Sequence, residues 1–270
     1  MNDARSLPKF GVGQPVRRLE DQRLLTGQGK YTDDVSVPNE THGVVLRSPH
    51  SHASIRSIHT AAAADVDGVL GIYTAADIAE LGTIQCMAPI QQADGCTLKA
   101  PPYPTLATEK VVYVGQPVAF IVAETVSMAK AAAELIEVNY DAHPATVDTA
   151  GANDNGAPQI WGDIPDNTSF VWRDGDLAKT ATAMADAPRK ASLRVVNNRL
   201  IAASVEPRIA IGEWDGTRFT LTTTSQGPHS LRLQLAEHLF KLPEDTFRVV
   251  THDVGGGFGM KIFMYPEQPL

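Results

Sequence analysis

The sequence predicts an α+β fold from three observations. Short runs of β-branched and apolar residues recur in two blocks, and helical periodicity is confined to a few stretches instead of alternating strictly with the strands. The chain carries 18 prolines and 21 glycines, enough for frequent turns. Between the blocks, Thr146 to about Pro188 is rich in Ala, Asp, Asn, Gly and Pro and lacks any period, as a connector would.

Taken in order, the first 18 residues are polar, with Pro8, Gly11, Gly13 and Pro15, and read as an extended arm. Val44-Val45-Leu46-Arg47 and Ile55-Arg56-Ser57-Ile58 read as strands around a turn at Ser48 to His52, and Val69 to Tyr73 as another. Thr74 followed by Asp77 has the capping-box spacing and predicts a short helix through Ile78 and Leu81, stopped by Gly82. Lys110 to Tyr113 and Val118 to Val122 read as strands separated by the turn Gly115-Gln116-Pro117. Val126 to Leu135 is an alanine-rich helix, and Ile136 to Tyr140 alternates as a half-exposed strand.

The second block predicts strands at Leu193 to Val196, Ile209 to Gly212 and Phe219 to Thr223. A helix from about Pro228 to Lys241 follows, with Leu231, Leu235 and Leu239 on one face and Pro228 suited to its first position. Gln226 therefore sits just before a helix N-terminus, where backbone N–H groups lack intrahelical partners. A last strand, Phe247 to Val250, leads into Gly255-Gly256-Gly257-Phe258-Gly259-Met260-Lys261. The resulting layout is an arm at 1–18, a first domain at 19–146, a connector at 147–190 and a second domain at 191–270.

Composition excludes several function classes. With 31 acidic against 23 basic residues the net charge is −8, which leaves no basic field for nucleic acid or an anionic membrane surface. The two cysteines, Cys86 and Cys96, form no C-x-x-C pair, so the chain cannot ligate an iron–sulfur cluster alone. Residues 1–10 hold no apolar run, and Arg17-Arg18 is followed by Leu19-Glu20-Asp21 where an export signal would be apolar, so a cytoplasmic location is expected.

The glycine run is the richest candidate site, because successive residues without Cβ bring backbone N–H groups close to an anionic ligand. It fails G-x-G-x-x-G, since Met260 stands where glycine is required, and it fails the P-loop pattern because Ile262 follows Lys261. Weaker candidates are a His50/His52 metal pair and a Ser225/His229/Asp253 triad without a nucleophile elbow. Glu206, in Val205-Glu206-Pro207-Arg208, reads either as a pocket residue or as a surface turn salt-bridged to Arg208.

Several motifs in order resemble the molybdenum-binding large subunit of the xanthine dehydrogenase, aldehyde oxidase and carbon monoxide dehydrogenase family. Gly13-Gln14-Pro15, Arg18-Leu19-Glu20-Asp21, Leu25 to Asp34, Arg47 to Ala53 and Gly115 to Ala119 resemble its a/b hammerhead domain. Val205 to Arg208, Ser225-Gln226-Gly227-Pro228 and Gly255 to Lys261 resemble the start of its molybdopterin-binding region.

The resemblance implies a molybdenum hydroxylase in which a metal-bound hydroxide attacks an electron-poor carbon, hydride passes to a sulfido ligand, and electrons leave through iron–sulfur clusters to flavin (FAD) on partner subunits. By position, Gln226 would hydrogen-bond an oxygen ligand of the metal, and Gly256, Gly257, Phe258 and Gly259 would line the cofactor. Purine-oxidising members carry glutamate directly after the loop's Gly-Lys pair; Ile262 here disfavours a purine. The family's general-base glutamate and remaining cofactor contacts have no counterpart before Leu270, so no catalytic residue and no protein metal ligand is assigned. The expected activity is hydroxylation of an aldehyde or heteroaromatic carbon using water, completed by a further portion or partner chain; the alternatives are an inactive truncated remnant or a non-catalytic partner-binding module.

Overall fold

The computed structural model describes residues 18–88, 90 and 98–270. The arm expected over 1–18, the Gly13-Gln14-Pro15 motif and Cys96 thus lie outside the described residues, apart from Arg18 itself. Helix α1 (Asp21–Leu25) and strands β1 (His42–Arg47) and β2 (Ala53–His59) come first, then a short α2 (Ala61–Ala64) and β3 (Val69–Thr74). Strands β4 (Lys110–Val111) and β5 (Pro117–Ala123), helix α3 (Val126–Glu134) and strand β6 (Glu137–Ala142) complete the first block. The Thr125 side chain caps α3 by accepting from Met128 N–H at 3.2 Å.

These strands form two antiparallel three-stranded sheets, ordered β1-β5-β3 and β4-β2-β6. β5 is central in its sheet and almost wholly buried, which is why it reads as a continuous apolar run, Val118 to Ala123. Its Ala119, Ile121 and Ala123 pack against Ala129, Ala132 and Ile136 from α3 and the turn beyond it. Alanines at these helix positions let the helix axis lie close to the sheet.

Three expectations in this block are corrected. Thr74 and Asp77 make the first half of a cap, with Asp77 accepting from Thr74 N–H (2.7 Å) and its hydroxyl (2.8 Å), but residues 75–80 continue as turns and no helix forms. The seven residues between Thr74 and Gly82 make barely two turns, too few to repay helix nucleation without a packed face. Gly82, expected only to stop that helix, instead makes a long-range contact. Its N–H donates to Leu239 O at 2.8 Å, and a Cβ there would lie 1.8 Å from His238 O. Glycine is required for that backbone approach between distant segments. The strand expected at Lys110 to Tyr113 is only the two residues of β4.

Helix α4 (Leu177–Asp186) lies in the predicted connector and buries no residue; Asp176 caps it by accepting from Lys179 N–H at 2.9 Å. Leu193 to Val196 has no regular structure and no strand partner, with Leu193, Val195 and Val196 largely exposed, so the strand expected there is absent. Strands β7 (Ala210–Trp214) and β8 (Phe219–Thr223), helix α5 (Pro228–Leu233) and β9 (Phe247–Val250) follow. The single helix read from periodicity is α5 continued by a π-helical stretch, Gln234–Phe240, ended by Lys241 in the left-handed region (φ 55°).

The third sheet runs β7-β8-β9, with β7 antiparallel and β9 parallel to β8. Leu221, Leu231, Leu235, Ala236, Leu239, Phe247 and Met264 form its core, with Ile84 contributed by the first block. Phe219, Phe240 and Phe247 pack ring against ring at centroid separations of 5.2–5.6 Å. Because a helix carries the chain from β8 to its parallel neighbour β9, both strands deliver their following loops to the same edge of the sheet. Among the described residues no helix is long and apolar enough to cross a membrane.

Candidate functional site

The two loops at that edge are Thr224 to Gly227, after β8, and Thr251 to Lys261, after β9. They are bonded to each other. Gln226 N–H donates to Lys261 O at 2.9 Å, and the Ser225 hydroxyl, which accepts from Gly227 N–H at 2.9 Å, also donates to Lys261 O at 3.3 Å. Ser225 is thereby committed to backbone bonds, and no hydrolase triad forms with His229 and Asp253.

The Gln226 side chain lies along the glycine run. A Cβ on Gly257 would stand 2.4 Å from its Cδ, so the close approach exists only because residue 257 is glycine. Gln226 Oε1 accepts from Gly259 N–H at 2.9 Å. That bond fixes which end of the carboxamide is which, and leaves Nε2 as a donor without a partner among the described residues. Gly256, Gly257 and Phe258 N–H likewise donate to no acceptor among the described residues, whereas the amides of Met260, Lys261 and Ile262 turn back onto Gly257 and Gly259 carbonyls. Three consecutive unspent N–H groups beside a fixed amide donor make an electropositive stretch of backbone.

Phe258 sits within that stretch at φ 51°, a conformation costly for a bulky side chain, and is 75% exposed. Nothing in burial rewards this strain, since the ring stands in the open. Gln226, Gly256, Gly257, Phe258 and Gly259, the five residues singled out from sequence, are therefore brought together on one surface, with Ile262 and Phe263 exposed beside them.

Beneath the loop lies a group that the sequence reading missed. Glu206 neither turns to Arg208 nor faces a pocket. Its Oε2 accepts from Gly255 N–H (2.7 Å), the Thr224 hydroxyl (2.8 Å) and Lys261 Nζ (3.1 Å), and Oε1 accepts from Thr32 N–H at 3.4 Å. Lys261 Nζ also donates to Glu206 O at 2.8 Å, and its side chain is fully buried. Burial pushes the Glu206 carboxyl up, but the donors from Gly255, Thr224, Lys261 and Thr32 together outweigh it and hold the group below its ordinary value. Arg208 instead stacks 3.6 Å over the Tyr265 ring, whose hydroxyl donates to Met260 O at 2.8 Å.

Asp253 holds the start of the same loop from outside. Arg23 donates to it through both terminal nitrogens at 2.5 and 2.6 Å, Lys30 N–H donates at 2.7 Å, and the carboxyl is held well below its usual range, by the Arg23 hydrogen bond first. His50 and His52 do not converge: His50 packs on Tyr140 and His52 on His143, and among the described residues no cluster of three potential ligands could hold a metal.

The pattern of known proteins agrees with this architecture. Residues 26–144 match the family model described as aldehyde oxidase and xanthine dehydrogenase, a/b hammerhead domain, and residues 160–270 match the molybdopterin cofactor-binding domain. The chain belongs to the molybdenum-binding large-subunit family of these enzymes. It is 35% identical to the nicotine 6-hydroxylase large subunit of Paenarthrobacter nicotinovorans, over 96% of this chain and 31% of that one. With the carbon monoxide dehydrogenase large chain of Hydrogenophaga pseudoflava the identity is 32%, over 98% and 33% of the two chains. The crystal structure of quinoline 2-oxidoreductase from Pseudomonas putida 86 superposes with a TM-score of 0.80 at 32% identity, covering 93% of this chain and 31% of that one. This chain spans about a third of the length of the relatives it matches. Of its three sheets, the first two fall within the hammerhead match and β7-β8-β9 within the cofactor-binding match.

Proposed function

We propose that residues 256–259 and Gln226 hold the anionic, oxygen-bearing face of a molybdenum–molybdopterin cofactor, in an oxidoreductase that hydroxylates an aldehyde or heteroaromatic carbon with oxygen taken from water. The observation that carries this reading is the set of unspent donors at Gly256, Gly257, Phe258 and Gln226 Nε2, with the Gln226 carboxamide lying so close to residue 257 that a Cβ there would not fit. The cofactor, when bound, supplies the two-electron redox chemistry. This chain's own part is to orient an oxygen ligand through the Gln226 amide, to offer backbone N–H groups to negative charge, and to set the Phe258 ring as an apolar wall beside the reacting carbon.

The general base and the other cofactor contacts belong, on this reading, to the polypeptide that makes up the rest of the relatives' length, and iron–sulfur clusters and FAD to partner subunits. The layout of an arm at 1–18, a hammerhead domain at 19–146, a connector at 147–190 and the cofactor-binding domain from 191 is part of the same proposal. A cytoplasmic setting is part of the same proposal. Ile262, exposed beside Phe258, favours an apolar ring or aldehyde over a purine.

The test is molybdenum content by metal analysis, measured on the chain alone and co-expressed with the polypeptide supplying the remaining portion and the iron–sulfur and flavin subunits. Metal retained in the co-expressed complex, together with oxidation of a heteroaromatic or aldehyde panel, is the expected result. Absence of metal in both preparations would overturn the reading in favour of a non-catalytic module.

A further inference from the structure

Resting on that reading, we propose that Glu206 is the positioning residue of the cofactor loop: its single carboxylate ties the loop's first and last residues together and, through Lys261, sets where the Gln226 amide points. Oε2 takes Gly255 N–H and Lys261 Nζ at once, so two positions six residues apart in sequence converge on one atom. The residues between them must then bulge outward, which is what presents Gly256, Gly257 and Phe258 with their N–H groups unspent. Lys261 carries the constraint onward, because its carbonyl accepts from Gln226 N–H and the Ser225 hydroxyl.

A second link closes the circuit. The Thr224 hydroxyl, two residues before Gln226, donates to the same Oε2, so the β8 loop is anchored to Glu206 directly as well as through Lys261. Ser204 donates from its hydroxyl to Glu206 O, and Glu206 N–H donates to Gly255 O, which holds Glu206 in register with the glycine run. The carboxylate's partners are Thr32, Thr224, Gly255 and Lys261, none of them one of the unspent donors, so Glu206 acts on a ligand only through the shape of the loop.

A buried pair can be structural without positioning anything, and the test separates the two roles. Replacing both charges with apolar side chains of similar length, Glu206→Met with Lys261→Met, leaves no uncompensated charge and preserves packing. It also removes the acceptor that joins the loop's ends. Hydrogen–deuterium exchange on the purified chain, read by mass spectrometry, then compares a peptide spanning 255–262 with one spanning β5. Positioning requires the loop peptide to exchange at least tenfold faster in the double variant, with β5 within twofold of the unsubstituted chain.

An unchanged loop peptide overturns the proposal, and so does equal acceleration of loop and β5, which would make the pair a support of the whole fold. Should the double variant fail to fold, Thr224→Val gives the same reading at smaller amplitude: it removes one donor from Oε2 and keeps the ion pair, with about threefold faster loop exchange expected and no change overturning the proposal. Exchange needs no bound cofactor, so loop positioning can fail while molybdenum uptake succeeds, and the reverse.

Discussion

Two carboxylates hold the same glycine loop in opposite ways. Asp253 works at the surface: its partner Arg23 keeps 40% of its side-chain exposure, and the pair has bidentate geometry that water can still reach. Glu206 works underneath, with its side chain 7% exposed and its lysine partner at zero. The difference teaches where a charge matters. A surface pair is replaceable by solvent, whereas a buried one leaves its partner stranded when it is lost. The inner carboxylate also receives four donors from three separate segments, which makes it the point where the first block, the β8 loop and the glycine loop meet.

The largest expected effect comes from breaking the inner pair on one side only. Lys261→Met strands a buried carboxylate, and losing one member of such a pair costs about 3–5 kcal/mol. Thermal unfolding should shift down by roughly 10 °C for a chain of this size. A shift of a degree or two would mean that water enters the cluster and that the contrast with Asp253 is false.

Next in size is damage to the loop's inner surface without touching either carboxylate. Gly257→Ala puts a Cβ against the Gln226 carboxamide, and the side chain must swing away, giving up the Gly259 N–H bond. About 1 kcal/mol of stability is lost, measurable by denaturant titration. Molybdenum retained by the co-expressed complex should fall about tenfold, since Nε2 no longer keeps its bearing. Retention equal to that of the unsubstituted complex would remove Gln226 from the site.

Acid sharpens the comparison further. The Glu206 carboxyl is held below its ordinary value in the folded chain, so the stability it contributes is fully present above that ordinary value, 4.5, and is lost as the pH falls through the lower folded one. Exchange of the 255–262 peptide should therefore be flat from pH 7 to about 5, after correction for the intrinsic rate, and rise below about 4.5. The Glu206→Met with Lys261→Met variant should show no such rise; an identical rise there would assign the acid sensitivity to another group.

How much of this was legible in the sequence depends on how local each determinant is. β1, β2, β3, β5, β6, β8 and β9 fall where β-branched runs and alternation put them, because each carries its own period-two or continuous apolar signal. The Thr74 helix failed because its run before Gly82 was too short to repay nucleation, and the Leu193 to Val196 strand because the local signal was present but no partner strand confirmed it. Gln226 was placed by the proline at the next helix's start, and the glycine run by its composition. The Glu206–Lys261 pair was illegible as a pair, since its members are 55 residues apart: Glu206 drew notice only as a pocket or surface-turn residue, and nothing near it named its partner. Arg23 was equally hidden, 230 residues from Asp253.

The smallest effect is expected from the outer pair, and it decides whether the contrast between the two carboxylates holds. Asp253→Asn keeps an oxygen that can still accept from Lys30 N–H, so part of the anchoring survives and only the charge facing Arg23 is lost. Water and neighbouring polar groups take over the guanidinium's remaining bonds at little cost, because the side chain is already solvated. The unfolding midpoint should fall by less than a quarter of the shift seen for Lys261→Met. Salt supplies the sharper criterion: at about 1 M the screening length drops to ~3 Å, so the difference between Asp253→Asn and the unsubstituted chain should nearly vanish, while the Lys261→Met difference persists. If both variants proved equally indifferent to salt, the Arg23–Asp253 pair would have to be as dry as the one beneath it, and the loop would be held by two equivalent clasps.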